Sequence, residues 1–242
     1  IVNPPGARIW TSNQRIVGGV ALKLIGDGGY ALGARAQQIR DDLHARDHFA
    51  PRDMLNIQLD DRALYLARWQ KLLLEVLSRS DDPKLHALGP FVKNWQARAA
   101  ANSVGYRIVR RFESRVFKNV LAPFSALAAK QWEDFEWSPN SQYAVWTMIT
   151  QKPAWLLDPK YKNWGALLTD SAREVAAELA KLPGPLPTKT WGQYNTAQFN
   201  NALSAGLPAW LARFVNMPRD QLSGDSYMPR VMHPTWGASM RM

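Results

Sequence analysis

Two polar side chains near the N-terminus stand where they could do chemistry. Asn13 lies within or at the end of residues 9–17, a run of β-branched and aromatic residues that predicts a short strand. After a glycine-rich turn at residues 26–29, Arg35 opens a stretch whose apolar residues recur at helical spacing. Strand backbone is rigid, so an amide carried there can be aimed at a neighbouring group. The Arg35 side chain is expected in the first turn of the following helix.

Two histidines have a spacing that occurs in metal sites. His44 and His48 are four residues apart, which places two imidazoles on one helix face. The glutamate of the His-Glu-x-x-His motif is missing and no third ligand is evident, so solvent-facing histidines near a helix C-terminus are the favoured interpretation. His86 and His233 stand alone.

Motifs of self-contained catalysis are missing from the sequence. It has no Gly-x-Ser-x-Gly nucleophile elbow, no phosphate-binding loop and no dinucleotide fingerprint. Three pairs of acids are adjacent, which on a helix turns the two carboxylates about 100° apart and makes poor acid–base dyads. These pairs, for which capping or a solvated face is favoured, are Asp41-Asp42, Asp60-Asp61 and Asp81-Asp82.

Five motifs in this order resemble the penicillin acylase (penicillin amidase) family of N-terminal nucleophile hydrolases. They are the turn Asn3-Pro4-Pro5-Gly6, the Thr-Ser-Asn-Gln-Arg run at 11–15, the helix start Arg35-Ala-Gln-Gln-Ile39, the stretch from Asp53 to Asp60, and the closing Gly237-Ala-Ser-Met-Arg-Met242. The separation of Asn13 and Arg35 is similar to the family's spacing between its oxyanion-hole Asn and its active-site Arg. Each motif is loose, but together they span the chain.

The resemblance implies a role for each of the two polar residues. Asn13 would be the oxyanion-hole Asn, and its amide would donate a hydrogen bond without carrying a titratable proton. Arg35 would orient that Asn and lie near the nucleophile, where a cation disfavours protonation of an α-amine that acts as the base. The alternatives are an Asn that satisfies a strand-end backbone group and an ordinary surface Arg at a helix start.

The family's nucleophile is not in this sequence. In penicillin acylases the precursor cuts itself into two chains, and the new N-terminal residue, usually Ser, attacks the amide while its own amine serves as base. The first residue here is Ile1. The resemblance therefore implies a segment from the downstream part of the β chain. We expect such a segment to be inactive by itself.

The resemblance also implies a structural calcium, with one carboxylate ligand in the loop between the Asn and the Arg. Counted without gaps, the matching position is Leu24, and Asp27 is the only acid nearby. Leucine has no oxygen that could bind the ion. We therefore assign no metal ligand from the sequence.

The resemblance sets the expected reaction, partners and location. The reaction is hydrolysis of a carboxamide through an acyl-enzyme, the substrate being an acylated amine such as a β-lactam side-chain amide or an acyl-homoserine lactone. The expected partners are the α chain and the upstream β-chain residues of the same precursor, together with the small-molecule amide. Members are typically exported, which implies the periplasm or secretion. No run approaches the roughly 18 apolar residues of a membrane span, so no membrane partner is predicted.

Composition allows a folded core and excludes little else. The 242 residues are 46% hydrophobic and include 11 Trp, which suggests thick helix packing or apolar grooves. The net charge of +10 favours polyanions or acidic surfaces in general. No cysteine is present, so a disulfide framework and thiolate chemistry are excluded.

The elements expected to position the site form an α+β fold, part of a four-layer N-terminal nucleophile hydrolase. We predict one partial domain over 1–242, with core strands and a loop at 1–34, a mainly helical region at 35–215, and a return to the core sheet at 216–242. Within the helical region, the helices predicted from apolar spacing include three stretches. They are Tyr65–Val76, Leu88–Ala101 and Tyr106–Leu121.

Two function classes other than an amidase remain open. The basic residues of the third predicted helix, Arg107, Arg111, Arg115 and Lys118, share a face, which could bind nucleic acid. A solvated face, or one that meets an acidic partner chain, is favoured because Glu113 interrupts it and no aromatic residues interleave. A purely structural interaction domain is the other class; it predicts no loss of activity when Asn13 is replaced.

Overall fold

The computed structural model of the chain describes residues 4–26, 29–138 and 141–238. Asn3 of the predicted turn, Asp27, and residues 239–242 of the closing motif lie outside these ranges. The α-helices of the described ranges are α1 (Gly19–Ile25), α2 (Ala34–His44), α3 (Pro51–Gln58), α4 (Ala67–Ser78), α5 (Pro83–His86), α6 (Gly89–Lys93), α7 (Val104–Ala129), α8 (Ser141–Gln151), α9 (Trp164–Ala180), α10 (Trp191–Tyr194) and α11 (Ala209–Val215). Short 3-10 turns occupy Pro5–Ala7, Ala154–Leu156, Leu186–Thr188 and Ala202–Gly206.

The hydrophobic core lies where α7 packs against α4, α6 and α9. Each of these helices turns an apolar stripe towards the others, and burial of the stripes supplies most of their stability. Buried side chains that meet there include Trp69, Leu73, Val92, Phe112, Val116, Leu168 and Val175. The periodic face predicted from Tyr65 to Val76 is confirmed from Trp69 onward, whereas Tyr65 lies just before α4 begins.

The central helix α7 is longer than the stretch predicted for it. It begins after Ser103, whose hydroxyl accepts a hydrogen bond from the Tyr106 amide at 3.0 Å, and it runs through Pro123 to Ala129. A proline inside a helix removes one backbone hydrogen bond, and here the helix continues past it. No helix in the described part of the chain is long and apolar enough to cross a bilayer.

The prediction of one helix over residues 88–101 is wrong beyond Lys93, where α6 ends. Gln96 and Ala97 have φ values of 60° and 52°, which no right-handed helix accommodates. The chain turns there because the Ala97 carbonyl accepts a hydrogen bond from the Ala63 amide at 2.7 Å. Pairing with a segment far away in sequence overrides the local helical pattern.

The strands predicted at the two ends do not form ladders among the described residues. The β-bridges of the described residues are isolated pairs, namely Gln14 with Ala31, Arg62 with Arg98, Thr196 with Gln221, and Met232 with Gly237. A strand is stable only when its backbone groups find a neighbouring strand. Within the described ranges, residues 9–17 find such a partner only at Gln14. A core sheet at both ends therefore stays a prediction.

The basic face of α7 packs largely against α9. Arg111 Nε lies 2.9 Å from Glu178 Oε1, and Arg115 Nη2 lies 2.8 Å from Glu178 Oε2. Arg107 is only 3% exposed and donates to Gln193 Oε1 at 2.8 Å. Three of the four cations that nucleic acid would contact are thus engaged within the chain. The sequence favours a solvated face or one that meets an acidic partner chain, whereas this face meets Glu178 of α9 within the same chain.

Glu178 is expected to make the contact of α7 with α9 sensitive to acid. Burial opposes ionisation of Glu178, but hydrogen bonds from Arg111 and Arg115 outweigh it and hold its pKa below the usual value. A lowered pKa gives stability that is full above the unfolded-state value of about 4.3 and is lost as pH falls through the folded-state value. Glu178→Gln should lower the free energy of unfolding at neutral pH by about 1.5 kcal/mol or more and flatten this acid limb, as measured by urea unfolding across pH.

Glu75→Gln is the control for this prediction. Glu75 pairs with Arg79 at 3.9 Å, and both side chains are largely exposed. Such pairs contribute about 0–1 kcal/mol, so this variant should unfold much like the wild type. Equal losses in the two variants would contradict the role assigned to Glu178.

A buried charged cluster joins α7 to the C-terminal segment. The Asp225 side chain is fully buried, and its Oδ2 accepts hydrogen bonds from Tyr106 Oη and Arg110 Nε, each at 2.7 Å. Arg110 Nη1 also donates to Glu113 Oε2 at 2.7 Å. Burial raises the pKa of Glu113 more than the nearby Arg110 lowers it. One guanidinium therefore compensates two buried carboxylates.

Candidate active site

The helix that carries Arg35 begins where the sequence predicts. Gly33 caps α2 without a side-chain hydrogen bond, and Arg35 lies in its first turn, as predicted. A cation near a helix N-terminus is electrostatically unfavourable because the amide dipoles point their positive ends there. An arginine at this position therefore needs acceptors elsewhere, and the segment before α1 supplies them.

Arg35 and Asn13, predicted from the sequence as the two site residues, are in direct contact. Arg35 Nη2 donates to Asn13 Oδ1 at 3.0 Å, across 22 residues of sequence. The same nitrogen donates to the Ser12 carbonyl oxygen, also at 3.0 Å. The guanidinium is half-buried, and this burial lowers the pKa of Arg35. The two bonds tie the loop around Asn13 to the first turn of α2.

The residues around Asn13 predict a strand, but Asn13 does not lie in one. Its φ of 62° is in the left-handed region, which strands exclude and which asparagine adopts more readily than most residues. The backbone is held on one side by the amide of Ala31, which donates to the Asn13 carbonyl at 2.8 Å. Gln14 Oε1 accepts from the Ser12 amide at 2.6 Å on the other side. A turn fixed by these two hydrogen bonds, and not a strand, therefore carries the Asn13 side chain.

The contact with Arg35 also sets the orientation of the Asn13 amide. An arginine has only donors, so the oxygen of the Asn13 side chain must face it. The Nδ2 group, with two N–H donors, then points away from α2 on an exposed residue. Within the described residues no acceptor is recorded for that nitrogen. The Asn13 Nδ2 group can therefore donate hydrogen bonds to a group outside the described residues.

The described residues do not form the metal sites considered from the sequence. No group of three or more His, Asp or Glu among them is placed to hold a metal ion. Leu24, at the position of the expected calcium ligand, is 83% exposed on α1 and offers no oxygen. His44 packs its ring edge-on against Trp10 at 5.6 Å between centroids. The described residues at this position do not fit a calcium site, Asp27 lies outside the described ranges, and no chemical step below depends on such a site.

His233, which stands alone in the sequence, has polar neighbours in the fold. Its Nε2 lies 2.9 Å from Ser226 Oγ and 3.8 Å from Asp225 Oδ1. A serine–histidine–carboxylate triad needs the carboxylate on the other ring nitrogen, Nδ1, so that Nε2 can take the serine proton. Here both groups face the same nitrogen. Burial lowers the pKa of His233 more than Asp225 raises it, and the trio is structural.

A polar network behind Arg35 was not foreseen from the sequence. Gln38 is 2% exposed and Asp60 is 7% exposed, and the two side chains are hydrogen-bonded to each other. From the sequence, Asp60 is expected at the end of a family motif and in an acid pair with a capping or solvated role, whereas the structure buries it. No local signal in the sequence marks Gln38 as buried, because its neighbours one turn away on the same helix face include Arg35 and Asp42, which are charged.

Comparison with known proteins agrees with the resemblance seen in the motifs. A family model described as penicillin amidase matches residues 1–242, the whole chain. The match therefore includes the loop with Asn13, the helix with Arg35 and the packed helices behind them. No curated protein matches the chain.

Proposed function

The chain belongs to the penicillin amidase family, a family of N-terminal nucleophile hydrolases that cleave amides, and from this premise we propose that its residues provide the oxyanion site of a carboxamide hydrolase. Asn13 is the donor and Arg35 is its positioning residue. The nucleophile, an N-terminal residue with its own α-amine as base, comes from outside these 242 residues. The chain alone is expected to be inactive.

The single observation that carries this proposal is the hydrogen bond from Arg35 Nη2 to Asn13 Oδ1 at 3.0 Å. It supports the proposal because it turns the Asn13 nitrogen outwards as a donor and keeps the oxygen away from a developing negative charge. A donor fixed before the reaction needs no reorganisation when the charge forms. The family's spacing alone would not require this contact.

The proposed mechanism divides the reaction between this chain and the nucleophile. The nucleophile's hydroxyl oxygen attacks the amide carbon, its proton passes to the α-amine, and the carbonyl oxygen becomes an oxyanion. Asn13 Nδ2–H donates to that oxyanion, while Arg35 holds Oδ1. Collapse expels the amine with the transferred proton and leaves an acyl-enzyme. Water then attacks the ester carbon and gives a proton to the α-amine, while Asn13 donates to the second oxyanion in the same way. Collapse breaks the ester C–O bond, releases the carboxylic acid and returns the proton to the nucleophile's oxygen.

The substrate class and the partners follow from this proposal. The substrate is an acylated amine, such as a β-lactam side-chain amide or an acyl-homoserine lactone, in which case the enzyme would act on antibiotics or in quorum quenching. The α chain and upstream β-chain residues would cover the N-terminal surface, where Ile16, Val20 and Leu24 are 68%, 73% and 83% exposed. Apolar patches of this kind mark interaction sites. We propose a periplasmic or secreted location because members of the family are typically exported.

N-terminal sequencing and intact mass of the natural product that contains these residues test the proposal, together with amine release from a panel of acylated amines. We expect two chains from autoproteolytic processing, the larger one starting at Ser, Thr or Cys, and amine release from at least one substrate. If the product is a single unprocessed chain that releases no amine, the amidase assignment is wrong. A structural interaction domain is then the favoured function.

A further inference from the structure

The loop that carries Asn13 and the helix that carries Arg35 form one unit, called here the site unit and comprising residues 8–14 and α2. At the C-terminal end of α2, Arg8 Nε donates to the Leu43 carbonyl at 3.2 Å, and Trp10 meets the ring of His44 edge-on at 5.6 Å. The bond of Arg35 to Asn13 closes the other end. Residues 8–14 therefore run along α2 and are held at both of its ends.

The site unit is joined to the helical body through the buried Gln38 amide and through the ion pair of Asp42 with Arg62. Within the described ranges α2 has no extensive packing against another helix. Gln38, on its inner face, donates from Nε2 to Asp60 Oδ2 at 2.5 Å and to the Arg62 carbonyl at 3.3 Å. Both acceptors lie in the short connection between α3 and α4. This connection is also paired with the chain beyond α6, through the bridge of Arg62 with Arg98.

The carboxylate that receives Gln38 is itself fixed by Arg62. Arg62 Nε lies 2.9 Å from each oxygen of Asp60, and Nη2 reaches Asp42, one further α-helical turn along α2. Burial disfavours the ionised form of Asp60, but hydrogen bonds from Arg62 and Gln38 outweigh it, and the pKa of Asp60 is lowered. Asp60 is thus a charged, oriented acceptor at neutral pH. Gln38 and Asp42 of α2 therefore both bind to the ion pair of Asp60 with Arg62.

Helix geometry connects this network to the reacting end of the site unit. Arg35 and Gln38 are three residues apart, so they lie on the same side of α2 with Cβ atoms about 5–6 Å apart. A rigid helix passes any displacement at Gln38 on to Arg35, and from there to the amide of Asn13. Displacing a catalytic donor by about 1 Å is enough to cost about 10² in rate.

We propose that Gln38 and Asp60 are positioning residues of the amidase, because their buried hydrogen bond sets the place of Asn13 relative to the helical body. This inference rests on the proposed function and deepens it. Neither residue contacts the substrate. They act through Arg35, and the network of Asp60 with Arg62 supplies the fixed point from which the oxyanion donor is held.

The test uses the full-length, processed enzyme and the amide that it hydrolyses best. Gln38→Leu removes the donor at similar volume, and Asp60→Asn removes the charge that holds Arg62. The matched control is Asp61→Asn, at the neighbouring residue, which is equally 7% exposed and is paired with Arg98 rather than with α2. The measurements are kcat, KM and the midpoint of thermal unfolding for each variant.

We expect Gln38→Leu and Asp60→Asn to lower kcat about 10²-fold while KM changes less than about threefold, since a misplaced oxyanion donor weakens only the transition state. Asp61→Asn should lower the unfolding midpoint by a similar amount and keep kcat. In Gln38→Glu the side chain can donate to Asp60 only when it is protonated, so its kcat relative to the wild type should rise as pH falls.

Two outcomes would overturn the inference, and they are distinguishable. If Gln38→Leu, Asp60→Asn and Asp61→Asn lose stability alike and all keep kcat, the network is structural only and the proposed function is unaffected. If the wild-type enzyme releases no amine from any acylated amine, the proposed function fails and the positioning role fails with it.

Discussion

Replacing Asn13 by alanine is expected to lower the kcat of the processed enzyme about 10²–10³-fold, with a much smaller change in KM. The expected size is that of losing one oxyanion-hole donor, since the hydrogen bond forms fully only when the carbonyl oxygen carries negative charge. Arg35 would remain in place, still bound to the Ser12 carbonyl. Steady-state hydrolysis of the preferred amide measures the effect.

Two further variants separate loss of the donor from damage to the loop. Asn13→Asp keeps the shape and gives Arg35 a stronger acceptor, yet it places an oxygen where the donor was, so kcat should fall at least as far. Asn13→Gly removes the side chain while it relieves the left-handed φ of 62°. If either variant keeps wild-type kcat, Asn13 does not stabilise the oxyanion.

The largest loss of stability is expected from Arg110→Met. This change leaves the carboxylates of Asp225 and Glu113 buried, at 0% and 3% side-chain exposure, without the cation that both contact. Removing one member of a buried ion pair costs about 3–5 kcal/mol, because the remaining charge cannot reach water. Urea or thermal unfolding of the protein measures the loss, and part of it should be recovered at low pH, where Glu113, whose pKa burial raises, takes up a proton.

Arg111→Met is the matched control for this prediction. The Arg111 side chain is 20% exposed and that of Arg110 is 19% exposed, and both lie on α7. The difference is in the partner, because Glu178 is 20% exposed and keeps Arg115 after the change. Arg111→Met should therefore cost clearly less than Arg110→Met. Equal costs would mean that burial of the carboxylates does not decide the effect.

The site could be predicted from the sequence to the extent that its signals are local. Arg35 falls in the first turn of α2 as the apolar spacing indicates, and its partner is the Asn that the family's spacing selects. The left-handed turn at Asn13 could not be predicted, because it depends on the hydrogen bond from Ala31 across the loop. A run of β-branched residues favours a strand only where a neighbouring strand exists.

The helical body shows the same limit. The face of α4 is readable because its side chains repeat at helical spacing and face one core. The early end of α6 could not be predicted from such spacing, because it follows from pairing of Ala97 with Ala63. The partner of the basic face of α7 could not be identified either, since Glu178 lies 67 residues beyond Arg111. Long-range partners carry no local pattern.

The bond between Arg110 and Asp225 has a consequence for the order of folding. It joins residues 115 positions apart, so α7 emerges from the ribosome well before the carboxylate that neutralises its arginine. Until then, Arg110 is paired with Glu113 and Ser114 of its own helix, and the Asp225 carboxylate that also contacts it is missing. The helical body is therefore completed only when the C-terminal segment arrives, and early truncation should leave a chain with exposed core, prone to aggregation and proteolysis.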